Sequence, residues 1–332
     1  MVVRGASRRQ NRLQEFVDGL RPVSMKHPRR AVCKGSPMVA ELAAMAKRSD
    51  WQSIERLLQT QPDCQTRDML IECLAVEITG RPKWLDIWAD QRPSEYLPLL
   101  VRGYHAVSWA WEARGAKRAK QTGQNQFKLF FERLQVARVD LEEAARRSPD
   151  DDPGALAFQV TLARGLEYPK PDLLALYEKV QQRSPYHPVA VWSMVQGMAP
   201  KWSGSLDAML GIAREAAAAP PGSSAHVAIA SAHYEAAVQS GSASAYWRTP
   251  SIREEITLAA ERSIGRPENQ GSPLALRDHN YFLWAYWSLH ERERWLAELE
   301  TVAGRLTNPF TIYPKPAEPY ARMLASMGVA FR

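Results

Sequence analysis

The chain has 332 residues, of which 45% are apolar and 24% charged, and its formal net charge is +7. This composition is ordinary for a globular protein and excludes a chain that is disordered throughout. No stretch approaches the roughly 20 apolar residues that a membrane-spanning helix requires, and the first residues lack the apolar core of a secretory signal. We therefore expect a soluble, cytoplasmic protein.

The positive charge is confined to the start of the chain. Residues 1–37 carry nine basic and two acidic side chains, which accounts for the whole net charge of +7. The remainder is neutral overall and lacks the electrostatic footprint of a nucleic-acid-binding protein. We predict that residues 1–37 are a basic, disordered tail and that residues 38–332 form the folded unit. Two interpretations of the tail stay open: the native chain starts at Met38, or the tail is a genuine electrostatic tether.

The three cysteines give little support to a disulfide framework or a zinc site. Cys33, Cys64 and Cys73 are odd in number and have no CxxC spacing. We interpret Cys64 and Cys73 as small buried side chains on a helix. This cysteine usage is typical of a reducing cytoplasm.

Proline and cap residues mark out a series of helices. Ser36 followed by Pro37 is typical of an N-cap with proline at the first helical position, and Gly115 can end a long helix. No alternating pattern predicts a strand. The sequence predicts a turn at 241–245, an extended connector at 308–319, and helices at 38–47, 51–59, 69–78, 84–88, 95–113, 127–147, 154–166, 171–183, 188–198, 205–218, 224–239, 251–264, 275–290, 292–306 and 317–328.

A tripeptide recurs in the middle of the chain. Arg147-Ser148-Pro149 returns as Arg183-Ser184-Pro185, 36 positions later, and a further 36 positions lead to Pro220. Two helices and a turn fit between these marks. A period of this length is typical of stacked helical hairpins, since one hairpin cannot bury its apolar face alone. We therefore predict an all-α solenoid of roughly six or seven antiparallel hairpins over residues 38–332.

The block from about 93 to 240 resembles tetratricopeptide-type repeats. The helix pair, Ala144 late in a second helix and the turn proline Pro149 carry this resemblance. The spacing of 36 differs from the usual 34, and the family's Trp, Leu-Gly and Tyr positions are not filled in order. The segment Ala199–Ser205 is also similar to one in bacterial helical-repeat proteins with no assigned activity, where a second glycine would replace Ser203. The resemblance implies a right-handed superhelix and no particular chemistry.

Five residues are candidates for binding a partner. Trp109, Trp111 and Arg114 end a long predicted helix, and the two indoles, two positions apart, point to nearly opposite sides. Lys201 and Trp202 lie in a turn between helices. Tryptophan and arginine dominate interface hot spots, which favours a peptide-gripping patch. The alternative is that each indole packs between helices, because tryptophan is highly buried on average.

The sequence offers no catalytic or cofactor motif. HExxH, GxSxG, the P-loop and GxGxxG are missing. His226 and His233 lie seven apart, about 10.5 Å along one helix, too far to share a zinc ion. We expect a non-catalytic scaffold that binds a peptide or partner protein on its curved inner surface. The alternatives are a basic-tail adaptor for nucleic acid or anionic surfaces, and an enzyme with a site of scattered polar residues.

Overall fold

A computed structural model of the chain describes residues 36–115, 122–312 and 317–326. Within these ranges the regular structure is entirely helical, and no strand occurs, which confirms the all-α prediction. Nearly all of the predicted basic tail, residues 1–37, lies outside the described ranges. In the same ranges no helix is both long and apolar enough to cross a bilayer.

The described ranges contain 17 α-helices. In chain order they are α1 (Pro37–Lys47), α2 (Trp51–Gln59), α3 (Cys64–Glu77), α4 (Trp84–Gln91), α5 (Leu97–Arg114), α6 (Gln124–Arg147), α7 (Gly154–Gly165), α8 (Lys170–Arg183), α9 (Pro188–Gly197), α10 (Leu206–Glu215), α11 (Val227–Gln239), α12 (Ala243–Trp247), α13 (Pro250–Arg262), α14 (Pro267–Gln270), α15 (Ala275–Ser288), α16 (Arg292–Val302) and α17 (Ala317–Ser326). Short 3₁₀ turns at Pro200–Trp202, Ala216–Ala218, Ser224–His226 and Phe310–Ile312 connect or extend them.

Three predicted boundaries were wrong for local reasons. Helix α3 begins at Cys64, five residues early, because the Asp63 carboxylate accepts a bond from the backbone N–H of Thr66 at 2.7 Å. Residues 243–247 form helix α12 instead of continuing the predicted turn, since Ser242 caps them in the same way. The predicted connector at 308–319 contains a 3₁₀ turn, and its Phe310 is fully buried.

The helices fall into two kinds, inner and outer. The inner helices α3, α5, α7, α9, α11 and α15 are buried on nearly all sides: nine of the ten residues of α9 are buried. The outer helices are amphipathic, and only Leu173, Tyr177 and Val180 are buried among the 14 residues of α8. An inner helix therefore needs apolar or small residues all round, whereas an outer helix needs one apolar stripe.

Successive helices pack closely on one another. The most extensive contact joins α5 and α6, where a Cβ added to Gly103 would lie 2.9 Å from the Leu141 side chain. Leu141 and Val160 are both fully buried, as we expect of apolar positions flanking the turn at Pro149.

The inner helices point in a common direction. The N-terminal ends of α3, α7 and α9 meet, since Asp68 bonds His187 at 3.1 Å and Arg67 bonds Asp152 at 2.7 Å. The C-terminal ends of α5 and α7 meet in turn, where the Arg164 guanidinium lies 5.1 Å from the Trp111 ring centre. The aligned helices therefore give the molecule two chemically different ends.

The chain also returns on itself. The Ser272 hydroxyl lies 3.8 Å from the Met69 sulfur, and the carbonyl oxygen of Pro273 lies 3.8 Å from the Cys73 sulfur. Helix α15 thus begins against α3, about 200 positions earlier in the sequence. Cys73 is buried as predicted, but it is disulfide-bonded, which corrects the expectation that the cysteines form no disulfide.

Candidate functional site

Four of the five predicted binding residues lie together at the C-terminal ends of the inner helices. Trp111, in the last turns of α5, meets Trp202 edge to face with ring centres 5.8 Å apart. The Arg114 guanidinium lies 5.5 Å from the centre of the Trp111 ring. The contact between Trp111 and Trp202 joins two segments that are 91 positions apart in the sequence. We define the tryptophan–arginine cluster by its six residues, Trp111, Arg114, Arg164, Trp192, Lys201 and Trp202.

Arg164 lies at the centre of this cluster and was not predicted from the sequence. Its guanidinium lies 5.1 Å from the Trp111 ring centre, 5.5 Å from that of Trp192 and 6.0 Å from that of Trp202. Only 8% of the residue is exposed. Sequence reasoning missed Arg164 because its partners belong to other helices and no local pattern links them to α7.

Lys201 is the most accessible cation of the cluster. Its ammonium group donates to the Glu235 carboxylate of α11 at 2.6 Å, and the two side chains are 43% and 12% exposed. Desolvation lowers the pKa of Lys201, and the positive charges of Arg164 and Arg114 lower it further, against the opposing effect of Glu235. Desolvation likewise lowers the pKa of Arg114. The cluster is therefore a place where positive charge is concentrated in partly apolar surroundings.

Trp109 does not belong to the cluster. Its ring lies under the guanidinium of Arg133 from α6, at 3.7 Å from the ring centre, and Arg133 also donates to the Trp109 carbonyl oxygen at 2.7 Å. Trp111 instead contacts Phe130 and Trp202. The contacts of the two indoles differ, as we expect from two positions separated by two residues on a helix.

Three residues of the segment Ala199–Ser205 are explained by the local backbone conformation and contacts. Ser203 takes the left-handed conformation, with φ 63° and ψ 25°, which glycine adopts more easily. A Cβ on Gly204 would lie 2.0 Å from the Met198 carbonyl oxygen, so only glycine fits there. Ser205 caps α10 by accepting from the Ala208 N–H at 3.0 Å. These three residues fix the turn that places Lys201 and Trp202 beside the other residues of the cluster.

The opposite ends of the inner helices carry a second polar group, which we call the aspartate network. Arg67 bonds Asp152 through two N–H groups at 2.7 and 2.8 Å and also contacts Asp68 at 2.7 Å. Tyr96 donates to Asp152 at 2.8 Å. Burial opposes the ionisation of Asp152, but the bonds from Arg67 outweigh it, and the pKa of Asp152 is lowered. These groups satisfy one another inside the protein and leave little for a ligand.

One cavity of about 370 Å³ opens beside this network. It is lined by Asp63, Cys64, Gln65, Thr66, Met69, Asp151, Pro153, Arg183 and Ser184. Desolvation and then the charge of Asp152 raise the pKa of the free Cys64 thiol, so it is a poor nucleophile. The Gln65 side-chain amide joins two parts of the cavity wall by donating to the Ser184 hydroxyl at 2.8 Å.

The histidines have separate structural partners. His226 bonds the Pro220 carbonyl oxygen at 3.0 Å, and His233 bonds the Tyr246 hydroxyl at 2.7 Å and Glu255 at 3.2 Å. Among the residues that the structure describes, no group of three or more His, Cys, Asp or Glu could hold a metal ion. No family model, curated protein or solved structure matches this chain.

Proposed function

We propose that this protein is a non-catalytic, cytoplasmic interaction scaffold that binds an acidic peptide or partner protein at the tryptophan–arginine cluster. Its hairpins would form a tetratricopeptide-like, right-handed solenoid. The observation that carries the proposal is the meeting of Trp111 and Arg114 with Lys201 and Trp202, which brings the aromatic and cationic residue types of interface hot spots into one cluster. The inner helices are buried along their length, so the proposal places the binding surface at their C-terminal ends.

The chemistry of the cluster suits an acidic partner. It contains three cations, of which Lys201 pairs with the Glu235 carboxylate and Arg114 lies within reach of the charge of Glu167. Hydrogen bonds from ionised donors to carboxylates are stronger than neutral ones, above all where water is partly excluded. Partly exposed indoles beside them would hold an apolar or aromatic side chain of the same partner.

The structural alternative is specific. Arg114 and Arg164 occupy the last turns of their helices, where a cation interacts favourably with the helix dipole by roughly 0.3–1 kcal/mol. Indoles packed around them would then only join the repeats. The two explanations make opposite predictions for a variant that changes charge and keeps the fold.

An array of decapeptides separates them. Each sequence is presented once with a free C-terminal carboxylate and once as the amide, and acidic content varies across the array. We expect the wild-type protein to retain acidic sequences and the double variant Arg114→Glu/Lys201→Glu to lose them, with the melting temperature lowered by no more than about 2 °C. The matched control is Lys128→Glu/Arg138→Glu, which reverses two exposed charges on α6 and should leave binding intact.

Two results would count against the proposal. If the Arg114→Glu/Lys201→Glu protein melts several degrees lower, the two cations serve the structure. If the wild-type protein binds no peptide of the array more strongly than it binds the peptide-free surface, the cluster is not a peptide site.

A further inference from the structure

Helix α15 meets α3 at a gap between two buried charged groups. Arg277 of α15 is 1% exposed and Glu72 of α3 is 6% exposed. The closest approach of this ion pair, from Arg277 Nη1 to Glu72 Oε2, is 3.8 Å, too long for a direct hydrogen bond. Neither atom has a hydrogen-bond partner among the described residues, and both are inaccessible to solvent.

His187 adds a third such atom nearby. Its Nε2 lies 3.1 Å from Asp68, one helical turn before Glu72 on α3. Because a carboxylate only accepts, Nε2 donates this bond, and Nδ1 is the second polar atom of the ring. This Nδ1 is also buried without a partner in the described part of the chain. Leaving a buried polar atom unsatisfied is costly, so such atoms concentrated in one interior require an explanation.

The three atoms define what can satisfy them. Arg277 Nη1 needs an acceptor, Glu72 Oε2 needs a donor, and His187 Nδ1 needs a polar partner. A cation would be repelled by Arg277, and an anion could donate nothing to Glu72. A water molecule accepts one bond and donates two, and its oxygen can lie about 3 Å from two atoms that are 3.8 Å apart.

We propose that the junction of α3 and α15 is a binding site for buried water, with one molecule bridging Arg277 Nη1 and Glu72 Oε2 and the same hydration satisfying His187 Nδ1. This water joins helices from opposite parts of the sequence, so it belongs to the contact that returns the chain on itself. The charges around it are those of Arg277, Glu72 and Asp278, the last at 3.4 Å from the Arg277 guanidinium.

A crystal structure of the full chain at about 1.5 Å tests the site directly. We expect a peak of solvent density within hydrogen-bonding distance of both Arg277 Nη1 and Glu72 Oε2. A direct contact between these two atoms, or a gap without density, would overturn the proposal.

Oxygen-17 magnetic relaxation dispersion gives an independent measurement in solution. The wild-type protein should show at least one more long-lived water molecule than the Glu72→Met/Arg277→Met variant, because apolar side chains remove both partners. Equal numbers in two folded proteins would contradict the site. If the double variant does not fold, the solvent density between Arg277 Nη1 and Glu72 Oε2 in the wild-type crystal structure decides the question alone.

Discussion

The two ends of the inner helices are built from the same kinds of charged residue but differ in how completely those charges are satisfied. In the aspartate network, Arg67 bonds two carboxylates, and both Asp68 and Asp152 are buried. In the tryptophan–arginine cluster, the cations face indole rings, and Lys201 remains 43% exposed. Under the proposed function, the first end holds helices together, whereas the second binds an external partner.

The helix dipole accounts for the sign of charge at each end but not for this difference. Carboxylates are favourable near helix N-termini and cations near C-termini, which matches the aspartate network and the cluster respectively. Dipoles alone would not expose large indoles beside the cations at only one end. If the contacts determine stability, a substitution in the aspartate network should lower the free energy of unfolding more than a matched substitution in the tryptophan–arginine cluster.

The largest effect should follow from removing the cation of the aspartate network. Arg67→Met leaves Asp68 and Asp152 buried without their shared partner, which should lower the free energy of unfolding by about 3–5 kcal/mol. Urea titration followed by circular dichroism measures this. The matched substitution at the other end, Arg114→Met, removes a cation–aromatic contact and should cost only about 0.5–1 kcal/mol. Equal losses would erase the distinction between the two ends.

The next effect concerns the turn that presents the cluster. Gly204→Ala places a Cβ against the Met198 carbonyl oxygen, a backbone atom that cannot rotate away, and should cost about 1–3 kcal/mol. Gly211 on α10 is the control, since nothing lies within 4 Å of its added Cβ, and Gly211→Ala should stabilise the protein by about 0.5–1 kcal/mol. A Gly204→Ala protein as stable as wild type would mean that the turn is not fixed as described.

A smaller, opposite effect is expected one residue earlier. Ser203→Gly relieves the left-handed conformation of a residue with a Cβ and should raise the free energy of unfolding by about 0.5–1 kcal/mol. Thermal melting of the single variant against wild type measures it. A lower melting temperature would show that the serine side chain contributes more than its backbone strain costs.

The smallest effect tests the cluster as a binding surface. Glu235→Gln removes the carboxylate that neutralises Lys201, so deca-glutamate should bind about threefold more tightly, worth about 0.7 kcal/mol, with stability nearly unchanged. Fluorescence anisotropy with labelled deca-glutamate measures the affinity, and deca-glutamine is the uncharged control. An unchanged affinity would show that Glu235 does not compete for Lys201.

Much of the helical pattern could be predicted from local signals. Pro37, Pro188 and Pro250 each stand at the start of a helix, because proline fits the first turn, where its missing N–H is not needed. Two of the boundaries that failed are set by a single side-chain cap, at Asp63 and Ser242. Such caps also occur in loops, so the local sequence does not distinguish the two cases.

The candidate site was predictable only in part. Trp111, Arg114, Lys201 and Trp202 could be selected by residue type, since aromatic and cationic side chains are enriched at interfaces. Trp109, selected for the same reason, packs under Arg133 instead. Which indole faces which helix depends on the rotation of α5 against its neighbours, and residue type carries no information about that rotation.

The sequence by itself determined that this chain is helical, where most helices begin, and which side chains have the chemistry to bind a partner. These properties depend on interactions within a few residues, which the sequence order displays directly. Only the tertiary structure decided that Arg164 lies among three indoles, that Lys201 meets Glu235, and that α15 returns to α3. Each of those contacts joins residues separated by at least 28 positions, and the packing of inner helices in one direction, not any local pattern, brings them together.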